Sequence, residues 1–289
     1  MRVRIAQTSL AVALAVLFFA AAARAQNPDT MSPEQSTAKA KQLLQQAIEA
    51  LGGQAFRNST ELSCEGRLAQ FGHGGEMMGF ANYRNYWHFP DKNRTEYIVN
   101  STKGGIFAVL IGNLPIKGGT LVQLFSGDRG WVLDKEGVNE APATSVADFQ
   151  EAVKHNLRNV LLLRANQEGV YLRYGGLATV DLHPVDWVEI SDQEEGAIRL
   201  ALDRSTHLPV RMVVTSQDRD TGQMDEDVII FSNYQPHEGV QTPMQVTKLH
   251  NDRRAYQLFY SSCNANPNLP ADFFTKEGLE KSSGKSAKK

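Results

Sequence analysis

Two cysteines, seven histidines and one acidic stretch are the candidates for bonding, metal ligation or acid–base chemistry in this chain. Cys64 and Cys263 make an even pair. In an oxidising compartment such a pair forms a disulfide, and this one would close a loop of about 200 residues, worth roughly 4–5 kcal/mol in the chain-entropy picture. Two buried free thiols are the other reading, because sequence spacing does not say whether the Cα atoms come within bridging range. The histidines at positions 73, 88, 155, 183, 207, 237 and 250 lack ligand spacing, so no metal site is expected. Residues 218–227, Asp-Arg-Asp-Thr-Gly-Gln-Met-Asp-Glu-Asp, resemble a calcium loop only superficially. Gly222 falls one place early and the twelfth position is not glutamate, so a solvated hairpin turn is expected there. Ser126 precedes Gly127 outside any Gly-x-Ser-x-Gly frame, and there is no phosphate loop and no His-Glu-x-x-His. The reading is a protein without catalysis and without a cofactor.

The N-terminus reads as an export leader. Arg2 and Arg4 form a positive region, residues 10–19 an apolar core, and Ala23-Arg24-Ala25 a cleavage site. Residues 1–25 are thus expected to be a signal peptide, with Gln26 opening the mature chain of a periplasmic or secreted bacterial protein. The apolar run is short for a membrane span, so no transmembrane segment is expected after cleavage. The sequons at Asn58, Asn93 and Asn100 matter only in a eukaryotic secretory pathway, which the leader argues against. The formal net charge of −2 becomes more negative once the leader's three arginines are lost. Such a chain carries no polyanion footprint, and nucleic acid is excluded as an expected partner.

The scaffold expected around any site centres on residues 119–134. Residues 121–125 are β-formers, Ser126-Gly127-Asp128 makes a turn, and Trp131-Val-Leu133 resumes a strand. Upstream, Ser32 as N-cap, Pro33 at N1 and Gln35 at N3 open a helix. Its apolar stripe is Ala40, Leu43, Leu44, Ala47, Ile48 and Leu51, and Gly52-Gly53 end it. Residues 61–68, 79–89 and 94–99 read as strands, with Pro90-Asp91 breaking the second from the third. Residues 135–142 read as a loop. Ser145 is the expected N-cap of a second helix, striped by Phe149, Ala152, Val153, Leu157, Val160 and Leu161. From Gly169 onward the chain is strand and turn, and Tyr256, Leu258 and Tyr260 share one strand face. The fold class is α+β, mostly β, with antiparallel pairing from the regular strand–turn–strand spacing. Residues 276–289 read as a disordered polar tail.

Residues 104–119 stand apart, being continuously apolar at 106–111, bracketed by glycine pairs and interrupted by Pro115. Two readings stay open: a fully buried strand, or a flap hinged on its glycines over an apolar cavity. Phe107, Leu110 and Leu114 would be the flap's contribution. Trp87, Phe89, Tyr97, Phe125, Trp131 and Trp187 concentrate in the strands, as they would in a pocket for an apolar ligand or in an ordinary core.

Several stretches in order carry a family resemblance. These are Trp87-His-Phe-Pro-Asp-Lys-Asn-Arg-Thr-Glu-Tyr97, Phe125-Ser-Gly-Asp-Arg-Gly-Trp131, and the run from Asp203 to Arg211 with Leu-Pro-Val-Arg. Ser232-Asn-Tyr234, Gly239-Val240, Pro243, Asn266, Pro270 and Phe273-Phe274 complete them. Together they resemble the periplasmic outer-membrane lipoprotein carrier and sorting (LolA-like) superfamily across most of the mature chain. The resemblance implies a strongly curved antiparallel sheet, an incomplete β-barrel covered by helices, forming one carrier-like domain over residues 26–275. It also implies a hydrophobic cavity for a lipid or the acyl chain of a lipoprotein, with Arg94 the positional match to an arginine that controls lid closure. An envelope sensor or scaffold that holds a protein partner on the same fold is the alternative. The apolar insertion at 104–119, the extra late strands and the cysteine pair depart from the carrier pattern.

Overall fold

The computed structural model describes residues 28–72, 74–99, 107–108, 110, 114–116, 119–192, 196–217 and 222–286. The expected signal peptide and its cleavage site lie outside them, as do residues 218–221 and most of the apolar insertion.

The first half of the chain supplies β1 (Glu61–Phe71), β2 (Met77–His88) and β3 (Lys92–Val99). The two-residue strands β4 (Phe107–Ala108) and β5 (Pro115–Ile116) follow, then β6 (Gly119–Ser126), β7 (Arg129–Asp134) and β8 (Gly137–Glu140). The second half supplies β9 (Tyr171–Val180), β10 (His183–Ser191), β11 (Ala197–Asp203) and β12 (Pro209–Gln217). It ends with β13 (Met224–His237), β14 (Val240–His250) and β15 (Arg253–Ala265). Thirteen strands form one antiparallel sheet in the order β8-β7-β6-β3-β2-β1-β15-β14-β13-β12-β11-β10-β9. Two meanders therefore meet where the first strand pairs with the last, and the sheet ends β8 and β9 are not bonded to each other. Cys64 and Cys263 face each other across that seam and are joined, with S–S 2.03 Å and a sequence separation of 199.

The sheet must curl. Six strand spacings of about 4.8 Å separate β3 from β12 in a flat sheet. Yet Asn93 and Thr95 of β3 and Val214 of β12 line one cavity of about 530 Å³. Part of the bend sits at a bulge between Glu65 and Gly66, where β1 shifts register against β15. A Cβ on Gly66 would lie 2.0 Å from the Phe259 carbonyl oxygen, so only glycine permits this approach.

Helices cover both faces. α1 (Pro33–Ala50) lies on β9 and β10, burying Ala40, Leu43, Leu44, Ala47 and Ile48 against Val188, Ile190 and Leu200. Its start follows the sequence reading: Ser32 Oγ accepts from Gln35 N, and Gln35 Oε1 accepts from Ser32 N. After a short α2 (Gln54–Asn58) and the first meander, α3 (Ala143–Lys154) and α4 (Leu157–Leu162) carry the chain from one sheet edge to the other. Among the described residues no helix is long and apolar enough to cross a membrane.

Four expectations change. Residues 137–140 form the edge strand β8 rather than a loop, since main-chain pairing on an open edge needs no apolar pattern. The helix after the central hairpin is capped by Pro142, and Ser145 is buried inside its first turn. The stripe through Leu161 belongs to two helices, because Asn156 breaks the run and accepts from Arg158 N at 3.0 Å. The tail is helical over Lys276–Ser286, here α5, because Leu279 is fully buried with Phe274 against Val122, Leu124 and Trp131. One buried leucine and the preceding aromatic pair outweigh its polar composition.

Candidate functional site

Strand alternation sets the site. Tyr83, Asn85 and Trp87 of β2, Asn93, Thr95 and Tyr97 of β3, and Tyr256, Leu258 and Tyr260 of β15 all point to the concave side. Asp148, Glu151 and Ala152 of α3, and His155 at its C-cap, face them across the cavity of about 530 Å³. A second cavity of about 260 Å³ adjoins it, walled by Leu51, Phe56, Leu62, Met212, Phe231 and Val240. Asn85, Trp87, His155, Ile229, Val246 and Tyr260 line both, so the two are branches of one concave site. The larger branch is a mixed aromatic and polar chamber, and the smaller is mostly apolar.

The polar groups of the floor satisfy one another. Asn85 Nδ2 donates to Thr95 Oγ1 at 2.8 Å, Thr95 Oγ1 donates to Asn93 Oδ1 at 2.8 Å, and Asn93 Nδ2 donates to the Tyr86 carbonyl at 3.1 Å. Lys248 Nζ lies 2.7 Å from Asp227 Oδ2, and His250 Nδ1 lies 2.9 Å from Asp227 Oδ1. Burial opposes the Lys248 ammonium, but the neighbouring Tyr256 hydroxyl and Asp227 carboxylate hold its pKa above the usual lysine value. Burial pushes the hydroxyls of Tyr83, Tyr97, Tyr256 and Tyr260 above the usual tyrosine value, so all four are neutral phenols at neutral pH. Burial also pushes His155 below the usual imidazole value, with the Glu151 carboxylate opposing. Among the described residues no group of three His, Cys, Asp or Glu side chains is placed to hold a metal ion.

The residues singled out from sequence divide by face. Trp87, Tyr97 and Leu110 line the larger branch, and Trp87 and Phe89 the smaller. Leu110 N donates to Tyr97 Oη at 3.2 Å, and Leu114 packs on the cluster around Tyr83 and Tyr97. Among the described residues, β3 pairs directly with β6, and Phe107 pairs with Ile116 in a separate two-stranded ladder. Phe125 is fully buried and stacks on Phe149 at 4.7 Å, and Phe149 lies 6.1 Å from Trp87. It therefore supports the wall rather than forming it.

Trp131, Trp187 and Arg94 sit on the other face. Asn93, Thr95 and Tyr97 point inward, so Arg94, its register partner Leu124, and Trp131 opposite Leu124 point outward. Arg94 lies under α5, with Nη2 3.0 Å from Glu96 Oε1 and 3.4 Å from Ser282 Oγ and its guanidinium 4.4 Å from the Phe273 ring centroid. That position fixes the C-terminal helix and does not reach the cavity. Trp187 packs outside with Val185, Ala201 and Val213 beneath the Arg199 guanidinium. Sequence reading missed Tyr83, Tyr256 and Tyr260 as cavity residues, although their period-two spacing was visible. It also missed Asp227 and Lys248, which only strand pairing brings together.

No family model and no curated protein matches the chain. Solved structures do. A DUF1329 family protein from Desulfovibrio piger superposes with a TM-score of 0.55 at 14% identity, covering 84% of this chain and 99% of that one. A protein named as an outer membrane lipoprotein-sorting protein domain, from Vibrio parahaemolyticus, gives 0.52 at 13%, covering 83% and 99%. A LolA superfamily protein from Nitrosomonas europaea gives 0.51 at 13%, also covering 83% and 99%. The fold is LolA-like. The expected class, mostly β with one large open antiparallel sheet and covering helices, holds. On the LolA-like frame the cavity occupies the concave side, between sheet and α3.

Proposed function

We propose that this protein is an exported carrier that shelters the apolar chain of a lipid, or of an acylated lipoprotein, in the concave site without transforming it. The observation that carries the reading is the pair of adjoining cavities, about 530 and 260 Å³, under the helices of a curled sheet. The larger volume falls in the range of small-molecule sites, and the smaller branch has the apolar walls a chain needs. Each methylene moved from water into that branch contributes about 0.8 kcal/mol before ordering costs. The packing of Leu110 and Leu114 on the tyrosine floor supports reading the insertion as a flap. The localisation that fits such a carrier is the periplasm.

Trp87 makes the reading testable. It lines both branches, whereas Trp131 and Trp187 lie on the outer face. Titration with a C12 to C16 amphiphile should change the fluorescence of the protein, and Trp87→Phe should abolish that change. Val246→Trp, which fills the shared wall, should weaken uptake while the protein stays folded. A folded protein whose Val246→Trp form takes up amphiphile as well as the parent would exclude this site.

A second reading, a protein partner held by the same fold, is favoured by Phe80 and Phe259. They are 44% and 41% exposed on the outer face, around Arg67. Its signature is partner binding lost in Phe80→Ser/Phe259→Ser with amphiphile uptake intact.

A further inference from the structure

We propose that the larger branch recognises an ammonium head group, so that the amphiphile carried is cationic at its head rather than anionic. The inference rests on the carrier reading and names the chemistry of its ligand. Three tyrosine rings form a closely spaced wall: Tyr83 and Tyr97 have centroids 5.6 Å apart in an edge arrangement, and Tyr83 and Tyr260 lie 6.4 Å apart. Tyr256 continues the same strand face. An ammonium over the face of one of these rings, within about 6 Å of its centroid, is attracted by the ring quadrupole, and more strongly where water is excluded.

The charges around this wall have the matching sign. Asp148, Glu151 and Asp227 line the branch, and Lys248 is the one lysine or arginine among its described lining residues. Lys248 is already engaged by Asp227 at 2.7 Å, and Glu151 is met from outside the lining by Lys154 at 3.1 Å. A carboxylate or phosphate head placed here would find an occupied lysine and like-charged neighbours, and like charges at close range repel. Arg158, in the wall of the smaller branch, is directed at main-chain carbonyls: Nη1 donates to Phe56 O and Nη2 donates to Arg57 O at 3.0 Å.

One further group points to an occupant of the smaller branch. Thr242 is 5% exposed on the wall of the smaller branch, and its Oγ1 has no hydrogen-bond partner among the described residues. A buried hydroxyl left unbonded is costly, and an ester or amide linkage between head and chain would supply its partner.

The test compares heads at constant chain length. Dodecyltrimethylammonium, dodecanoate and monododecanoylglycerol, each below its micellar concentration, are titrated into the mature protein by calorimetry. The expected result is that the ammonium ligand binds about tenfold tighter than dodecanoate. Tyr256→Leu should remove most of that preference, and Tyr256→Phe, which keeps the ring, should retain it. Equal binding of all three, or a preference for dodecanoate, overturns the head assignment and leaves the carrier reading standing. Failure of all three to bind overturns both. The comparison on the unaltered protein decides the matter even where a variant fails to fold.

Discussion

At the residue scale the site depends on polar groups that satisfy one another in a floor otherwise made of aromatic rings. Thr95 is the hinge of the Asn85–Thr95–Asn93 ladder, being both acceptor and donor and 2% exposed. Thr95→Val keeps the shape and removes both bonds, leaving buried amide groups of Asn85 and Asn93 unmatched. A loss of about 1–3 kcal/mol in urea unfolding is expected, well above the cost of a surface change. Titrations set the pH range. Folded tyrosines with raised pKa resist ionisation, so the stability they contribute is fully present below pH 10 and lost as pH rises through the raised values. His155 has the opposite slope. Its folded value is below 6.5, so the folded state binds fewer protons than the unfolded chain, and stability falls as pH drops from 6.5 through the lowered value. Urea midpoints measured from pH 5 to pH 11 should therefore be highest in between. His155→Gln should flatten the acid limb and leave the alkaline limb in place.

At the element scale the seam between β1 and β15 joins the two meanders, and Cys64–Cys263 clasps it. The even cysteine count suggested the bond, but no sequence signal said that the first and last strands are neighbours. That follows from the sheet order, which depends on α3 and α4 crossing from edge to edge. Replacing both cysteines with alanine should cost about 2–5 kcal/mol, read as a lower urea midpoint. Uptake should persist at low temperature, because most of the cavity wall comes from other residues. The elements themselves were largely legible. The Ser32–Gln35 box, the Gly127 turn and the alternation in β2 and β15 are local patterns, and local patterns survive folding. What was not legible is long-range: α5 is held by Leu279 and the aromatic pair ahead of it, a contact that composition of a polar tail cannot announce.

At the scale of the whole molecule, the sheet curls far enough for β3 and β12 to share one cavity. Sequence placed the aromatics in strands but could not say which face each would take. The residues that turned outward, Arg94, Trp131 and Trp187, show why: the face is set by register across several strands, not by residue type. The inward set, with Tyr83, Trp87, Tyr97, Tyr256 and Tyr260, leaves space beneath α3 where a packed core would have closed it. Native mass spectrometry of residues 26–289, purified after export to a bacterial periplasm, probes that space. The expected result is bound mass that leaves on denaturation and is identified as a lipid or acylated species, absent from the Val246→Trp form. A bare protein mass that stays bare after incubation with C12 to C16 amphiphiles would contradict it.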